Sequence, residues 1–148
     1  MQTTTVKDRM TPDPLTASPD MSLPDALQIM KENKIRRLLV CEDGKLIGIV
    51  TAGDLRGAQP SQATSLSIFE LHYLVGRITL CQIMTRHPVS VTPTTTIQEA
   101  ANIMLQQKIA GLPVMEHDCL VGIITESDIF RMVVKNWQED SEPALQPA

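Results

Sequence analysis

Residues 45–54 read Lys45-Leu46-Ile47-Gly48-Ile49-Val50-Thr51-Ala52-Gly53-Asp54, and residues 119–128 read Cys119-Leu120-Val121-Gly122-Ile123-Ile124-Thr125-Glu126-Ser127-Asp128. An apolar run with a central Gly, closing on Thr-x-x-Asp, is written twice. Working outward, Met10-Thr11-Pro12-Asp13-Pro14 returns as Met84-Thr85-Arg86-His87-Pro88. The register never slips: 84 − 10 and 128 − 54 both give 74. Roughly 17 of about 46 aligned positions are identical, where unrelated chains would share about 3, and a fixed period of this kind signals a repeated supersecondary unit.

Each copy follows one local grammar. An extended stretch, Pro14-Leu15-Thr16-Ala17 or Pro88-Val89-Ser90-Val91, precedes a helix start. Thr96 with Glu99 is a capping box, and Ser22 with Asp25 is its Asp variant, with Pro24 in the first turn. Helical spacing then runs through Ala26, Leu27 and Met30, and through Ala100, Ala101 and Met104. A short strand follows, Leu38–Cys41 or Leu112–Met115. Asp43-Gly44 predicts a tight hairpin in the first copy. The second copy has no Gly there, which leaves its turn type open. The returning strands, 46–50 and 120–124, are apolar almost throughout, which implies burial on both faces. A second helix follows each. The unit is strand, helix, strand, strand, helix, and one copy alone would expose an apolar face that a second copy can cover.

Between the copies, Gly57 to Ser65 reads as a polar linker rich in breakers. Ser67 and Glu70 then start a short amphipathic helix whose apolar face, Phe69, Tyr73 and Leu74, is expected to pack inside the molecule, with a partner as the alternative. The acidic tail from Gln138, with Pro143 and Pro147, is expected to be disordered. The boundaries are 6–57 for the first motif, 58–79 for the linker with its helix, 80–135 for the second motif and 136–148 for the tail.

The composition of the 148 residues narrows the classes of function. Aromatics make up only 3% of the chain, so the core is aliphatic. A net charge of −4 argues against a nucleic-acid binder, which would show a basic face. No apolar run approaches the roughly 20 residues that cross a bilayer, and the N-terminus lacks the regions of a signal peptide, so a cytoplasmic location is expected. Cys41, Cys81 and Cys119 are too few and too scattered for a disulfide framework or zinc site. His117 and Cys119 stand two apart, and two ligands do not close a metal site. His72, His87 and His117 have no paired nucleophile, and neither Gly-rich phosphate loop is present, so no enzymatic activity is expected.

The doubled pattern resembles the CBS domain, named for cystathionine beta-synthase, and the chain is similar to a stand-alone tandem pair. The marks are Met-Thr-x-x-Pro, Gly111-Leu112-Pro113-Val114, the hairpin with Gly48 or Gly122, and the strand ending in Thr-x-x-Asp. The resemblance implies an α/β (α+β) fold of two pseudo-symmetric β-α-β-β-α motifs packed sheet to sheet into one module. It further implies a regulatory module, commonly homodimeric, with clefts between the motifs for an adenosine-type nucleotide. AMP, ADP or ATP is the implied ligand, S-adenosylmethionine is possible, and no cofactor is required. The regulated protein is unknown, and neither nucleic acid nor membrane is an expected partner. The alternative is a constitutive dimeric scaffold whose clefts are empty or vestigial.

By that resemblance Asp54 and Asp128 accept from the ribose hydroxyls, and a carboxylate suits a vicinal diol because it offers two acceptor oxygens. Thr51 and Thr125 would contact ribose or phosphate at a helix start that favours anions. The same Thr-x-x-Asp is also an ordinary helix cap with its acidic partner. Arg36 and Arg37 match a position where a basic residue reaches phosphates, which a guanidinium fork suits; as an alternative they simply solubilise a strand edge. The second copy has Ala110-Gly111 there, and Leu39 replaces the Pro found as Pro113. Thr16, Ala17, Leu38, Val40, Ser90, Val91, Gly111, Leu112, Pro113 and Val114 are expected to line the base slots, with core packing as the alternative for the apolar ones. The two clefts should therefore be related and unequal.

Overall fold

The structure is a computed structural model that describes residues 3–60 and 66–145. Its elements run α1 (Val6–Arg9), β1 (Thr11–Pro12), β2 (Thr16–Ala17), α2 (Leu23–Asn33), β3 (Arg37–Glu42), β4 (Lys45–Thr51) and α3 (Ala52–Gly57). After the linker come α4 (Ile68–Gly76), α5 (Leu80–Ile83), β5 (Thr85–Arg86), α6 (Ile97–Gln107), β6 (Gly111–Glu116), β7 (Cys119–Thr125) and α7 (Glu126–Leu145). The fold is mixed α/β with two sheets, ordered β2-β3-β4-β5 and β1-β7-β6.

The chain forms two compact units, and neither coincides with one copy of the repeat. A central unit spans Leu15–Pro88. A split unit joins the segment up to Pro14 to the residues from Val89 onward. Each unit therefore takes the opening segment of the other copy. β5 pairs with β4 (Gly48 opposite Arg86, Ile49 opposite Thr85), and β1 pairs with β7 (Pro12 opposite Gly122, Thr11 opposite Ile123).

The caps read from the sequence are in place. Ser22 Oγ accepts from the Asp25 N–H at 3.3 Å. Thr96 and Glu99 bond reciprocally, at 3.1 and 3.3 Å. Each helix ends on a left-handed lysine, Lys34 or Lys108. The hairpins share one turn geometry. Asp43 and Gly44 have φ of 52° and 77°, and His117 and Asp118 have 51° and 64°. Positive φ at both central residues belongs to the tight type I′ connection, and His and Asp tolerate it without a glycine.

Position by position the two cores are the same core. Ala17, Leu23, Ala26, Met30, Leu38, Val40 and Val50 pack together in the central unit. Their counterparts Val91, Ile97, Ala100, Met104, Leu112, Val114 and Ile124 do so in the split unit. The correspondence reaches further upstream than the Met-Thr openings. Leu80 of α5 and Val6 of α1, both 0% exposed, fill equivalent places, and the threonines that cap these helices, Thr79 and Thr5, bridge to the caps Ser22 and Thr96.

Several expectations are corrected. Residues 136–145 continue α7 instead of forming a disordered tail; residues 146–148 lie outside the described residues, as do 61–65 of the expected linker. Residues 68–76 are helical as expected, yet Phe69 and Tyr73 are 81% and 63% exposed, so that face does not pack inward. The partly buried Val75 turns toward the central core instead. The returning strands are fully buried on one face only: Gly48 and Val50, or Gly122 and Ile124, are buried, and the residues between them are half-buried. Their partners on both sides are antiparallel, which allows one wetter face.

Gly48 and Gly122 hold the borrowed segments. A Cβ at 122 would stand 2.6 Å from Met10 Sδ and 2.9 Å from the Thr11 carbonyl. One at 48 would stand 2.6 Å from Met84 Sδ and 3.0 Å from the Thr85 carbonyl. Gly122→Ala and Gly48→Ala should each cost about 1–3 kcal/mol by overpacking, read as a lowered thermal midpoint. Adding Met10→Ala to Gly122→Ala should restore part of that loss, because the two sites are in contact and their effects are not additive. Removal of residues 1–14 should strip hydrogen-exchange protection from β6, β7 and α6 while the amides of 15–88 keep theirs; equal loss in both units would contradict this division.

Candidate functional site

In each unit the sequence-singled residues gather where a returning strand becomes a helix. In the central unit Arg37 lies opposite Thr51 at the start of β3 and the end of β4. The Ala52 N–H donates to the Arg36 carbonyl at 2.7 Å, which ties the first residue of α3 to the residue before β3. Arg36, Arg37, Thr51 and Asp54 thus share one corner. Arg36 and Asp54 are exposed, and Arg37 and Thr51 are half-buried. Thr16 and Ala17 run parallel to β3 beside Leu39 and Val40, a little further along the strand; Thr16 is exposed and Ala17 buried.

The split unit repeats the corner. Gly111 lies opposite Thr125, and the Glu126 N–H donates to the Ala110 carbonyl at 3.0 Å. Val91 bridges to Val114: its N–H donates to the Pro113 carbonyl at 3.0 Å, and its carbonyl accepts from the Met115 N–H at 2.8 Å. Ser90 precedes it and is exposed. Leu38, Val40, Leu112 and Val114 are all 0% exposed and belong to the cores, so their side chains face the helices. Leu39 and Pro113, one residue along, are also buried but belong to neither cluster; strand alternation puts them on the opposite face of their sheets.

Both Thr-x-x-Asp segments are helix caps, and the two differ in detail. The Thr51 N–H donates to Asp54 Oδ2 at 3.0 Å, and the Asp54 N–H donates to Thr51 Oγ1 at 3.0 Å. Among the described residues no donor reaches Asp54 Oδ1. Asp128 is only 8% exposed. Its Oδ2 accepts from the Thr125 N–H at 2.9 Å and from the Thr125 hydroxyl at 3.0 Å, and its Oδ1 accepts from Arg131 Nη1 at 3.0 Å. An N-terminal cap of this kind is worth about 1 kcal/mol, so the fold alone gives both aspartates a use.

Burial pushes the Cys41 thiol up, which disfavours its thiolate. Among the described residues no three His, Cys, Asp or Glu side chains converge as metal ligands. The sequence reading did not find a cavity of about 520 Å³ in the central unit, between Leu23, Leu27 and Lys31 of α2 and His72 and Val75 of α4. The packing of α4 against α2 forms it, with Gln59 also in its lining, and no sequence signal announces how that helix docks. It contains none of the corner residues.

Comparison with known proteins follows the same division. The CBS domain pattern matches residues 6–61 and 75–135. The chain is 33% identical over 138 residues to a CBS domain-containing protein of Dictyostelium discoideum, covering 88% of this chain and 91% of that one. It is 36% identical over 119 residues, 80% of its length, to an inosine-5'-monophosphate dehydrogenase of Korarchaeum cryptofilum, and spans only 22% of that enzyme. Among solved structures, the CBS domain pair of protein MJ0100, in complex with 5'-methylthioadenosine and S-adenosyl-L-methionine, superposes with a TM-score of 0.76 at 28% identity, covering 91% of this chain and 99% of that one. CBSX2 in complex with AMP gives 0.72 at 31% identity, covering 89% and 97%. With both copies matched and the same strand-to-helix corner built twice, the chain belongs to the CBS domain family, as a tandem pair of its domains.

Proposed function

We propose that this chain is a regulatory module that binds an adenosine-type nucleotide at a Thr-x-x-Asp corner and passes the binding event to another protein. The observation that carries the reading is the central corner. An exposed carboxylate, Asp54, with one oxygen that no donor reaches among the described residues, sits where β4 passes into α3, at the same corner as Arg36 and Arg37. A carboxylate can accept both hydroxyls of a ribose, and a guanidinium can grip a phosphate. Similar CBS pairs hold AMP, 5'-methylthioadenosine or S-adenosylmethionine, which supports an adenosine-bearing ligand. AMP, ADP and ATP come first for this chain, because the arginines suit phosphates, and S-adenosylmethionine second.

In this reading the base lies against Thr16 and Ala17 in the central unit, and against Ser90 and Val91 where the second corner is used. Gly111 and Pro113 supply backbone there. The chain acts without chemistry of its own, as a homodimer in the cytoplasm. Among the described residues no helix is long and apolar enough to cross a membrane. Regulation requires that the ligand prefer one of two states of the module, since equal affinity shifts nothing. A second reading, a constitutive scaffold, draws on the caps: both aspartates already serve α3 and α7, so their presence does not require a ligand.

Calorimetric titration with AMP, ADP, ATP, S-adenosylmethionine and NAD separates the two. At least one adenosine compound should bind more tightly than millimolar, and the double variant Asp54→Ala/Asp128→Asn should lose it while keeping a cooperative melt. Binding no tighter than millimolar across the panel would favour the scaffold.

A further inference from the structure

We propose that Arg131 latches the second corner shut, so that the chain takes one adenosine ligand, at Asp54, and that losing the Arg131 side chain opens a second site. The inference rests on the nucleotide reading above and concerns which corner does the binding.

Acceptor counting carries it. A carboxylate offers about four lone-pair positions, two on each oxygen, and a vicinal diol needs two of them. At Asp128 three are filled, by the Thr125 N–H, the Thr125 hydroxyl and Arg131 Nη1. One remains, on a side chain only 8% exposed. At Asp54, among the described residues, one is filled, by the Thr51 N–H, and the side chain is exposed. The hydroxyls differ in the same sense. Thr125 spends its proton on Asp128. Thr51 Oγ1 accepts from the Asp54 N–H, and its own proton has no acceptor among the described residues.

The cations are distributed reciprocally. The central corner carries Arg36 and Arg37 on the strand side, where the split corner has Ala110 and Gly111. The split corner carries Arg131 on the helix side, one turn beyond its aspartate, where the central corner has Gly57. Arg56 follows Asp54 by two residues, a spacing that puts it on another face of α3. Glu126, exposed in the first turn of α7, replaces Ala52 and adds negative charge where a phosphate would arrive. With Arg131 held by Asp128, no cation on α7 is left to offset it at this corner. The Asp128 end of the pair is only 8% exposed, so water and salt screen it far less than a surface ion pair, while the Arg131 side chain is 74% exposed and can be cut back without opening a core.

The test is the stoichiometry and site of AMP binding, measured by calorimetry on the full chain. Wild type should bind one AMP per chain. Asp54→Ala should weaken it at least tenfold, and Asp128→Asn should leave it within about twofold. Arg131→Ala should raise the count to two, and Asp128→Asn added to it should return the count to one. Arg131→Met, which keeps the stem without the charge, should act like Arg131→Ala and guards against a packing effect. Two AMP per chain in wild type, a single site abolished by Asp128→Asn and not by Asp54→Ala, or a count of one in both Arg131 variants would each overturn the latch. Failure of wild type and both Arg131 variants to bind AMP or any other adenosine compound would instead overturn the nucleotide reading on which it rests.

Discussion

The contact between a methionine and a glycine sets the architecture. Met84 lies on Gly48 and Met10 lies on Gly122, each close enough that a single methyl group on the glycine would collide with it. The contact holds the opening segment of one copy against the returning strand of the other. It places β5 on β4 and β1 on β7, and lets Leu80 and Val6 enter the cores beside them. Each unit is completed by sequence that belongs, by homology between the copies, to its sibling. The thioether suits the position because an unbranched, adaptable side chain can lie flat on exposed backbone.

The corners show how one residue type serves fold and function together. Thr-x-x-Asp satisfies the free N–H groups of a helix start, and that requirement exists with or without a ligand. Binding capacity depends on what the cap leaves over. At Asp54 one oxygen is left over among the described residues; at Asp128 a third residue has taken up most of the remainder. Related sequences at equivalent positions therefore differ in chemistry through a neighbour one helical turn away, Arg131 against Gly57.

Much of this was legible in the sequence because it is local. The caps at Ser22 and Thr96, the Asp43-Gly44 hairpin and the buried faces of α2 and α6 depend on residues a few positions apart. The alignment of copies also shows Arg36-Arg37 standing against Ala110-Gly111 and Leu39 against Pro113, differences that need no structure to see. What escaped was non-local or marginal. The exchange of opening segments joins residues far apart in the chain, and no periodicity reports a partner. Two four-residue helices, α1 and α5, are too short to show a period. Continuation of α7 past Gln138 set an amphipathic helical pattern against an acidic, proline-bearing composition, and the pattern prevailed. The outward face of α4 was misread because amphipathicity says that a helix has an apolar side, without saying whether anything covers it. The Arg131 bond to Asp128 escaped because both readings of the aspartate, ribose acceptor and helix cap, look back to Thr125 and not one turn ahead to residue 131.

The division into a continuous and a split unit also gives the chain an order in time. Every residue of the central unit has been synthesised by Pro88, and its borrowed strand lies about 36 residues from its partner. The split unit begins with a segment made before any of the central unit, and Thr11 finds Ile123 only after about 110 further residues have been made. Through that interval β1 is an unpaired strand with an apolar neighbour, Val6, waiting for a sheet that does not yet exist. Two halves that are equivalent in space are thus unequal in their exposure to misassociation, and the opening stretch of the chain carries nearly all of that risk.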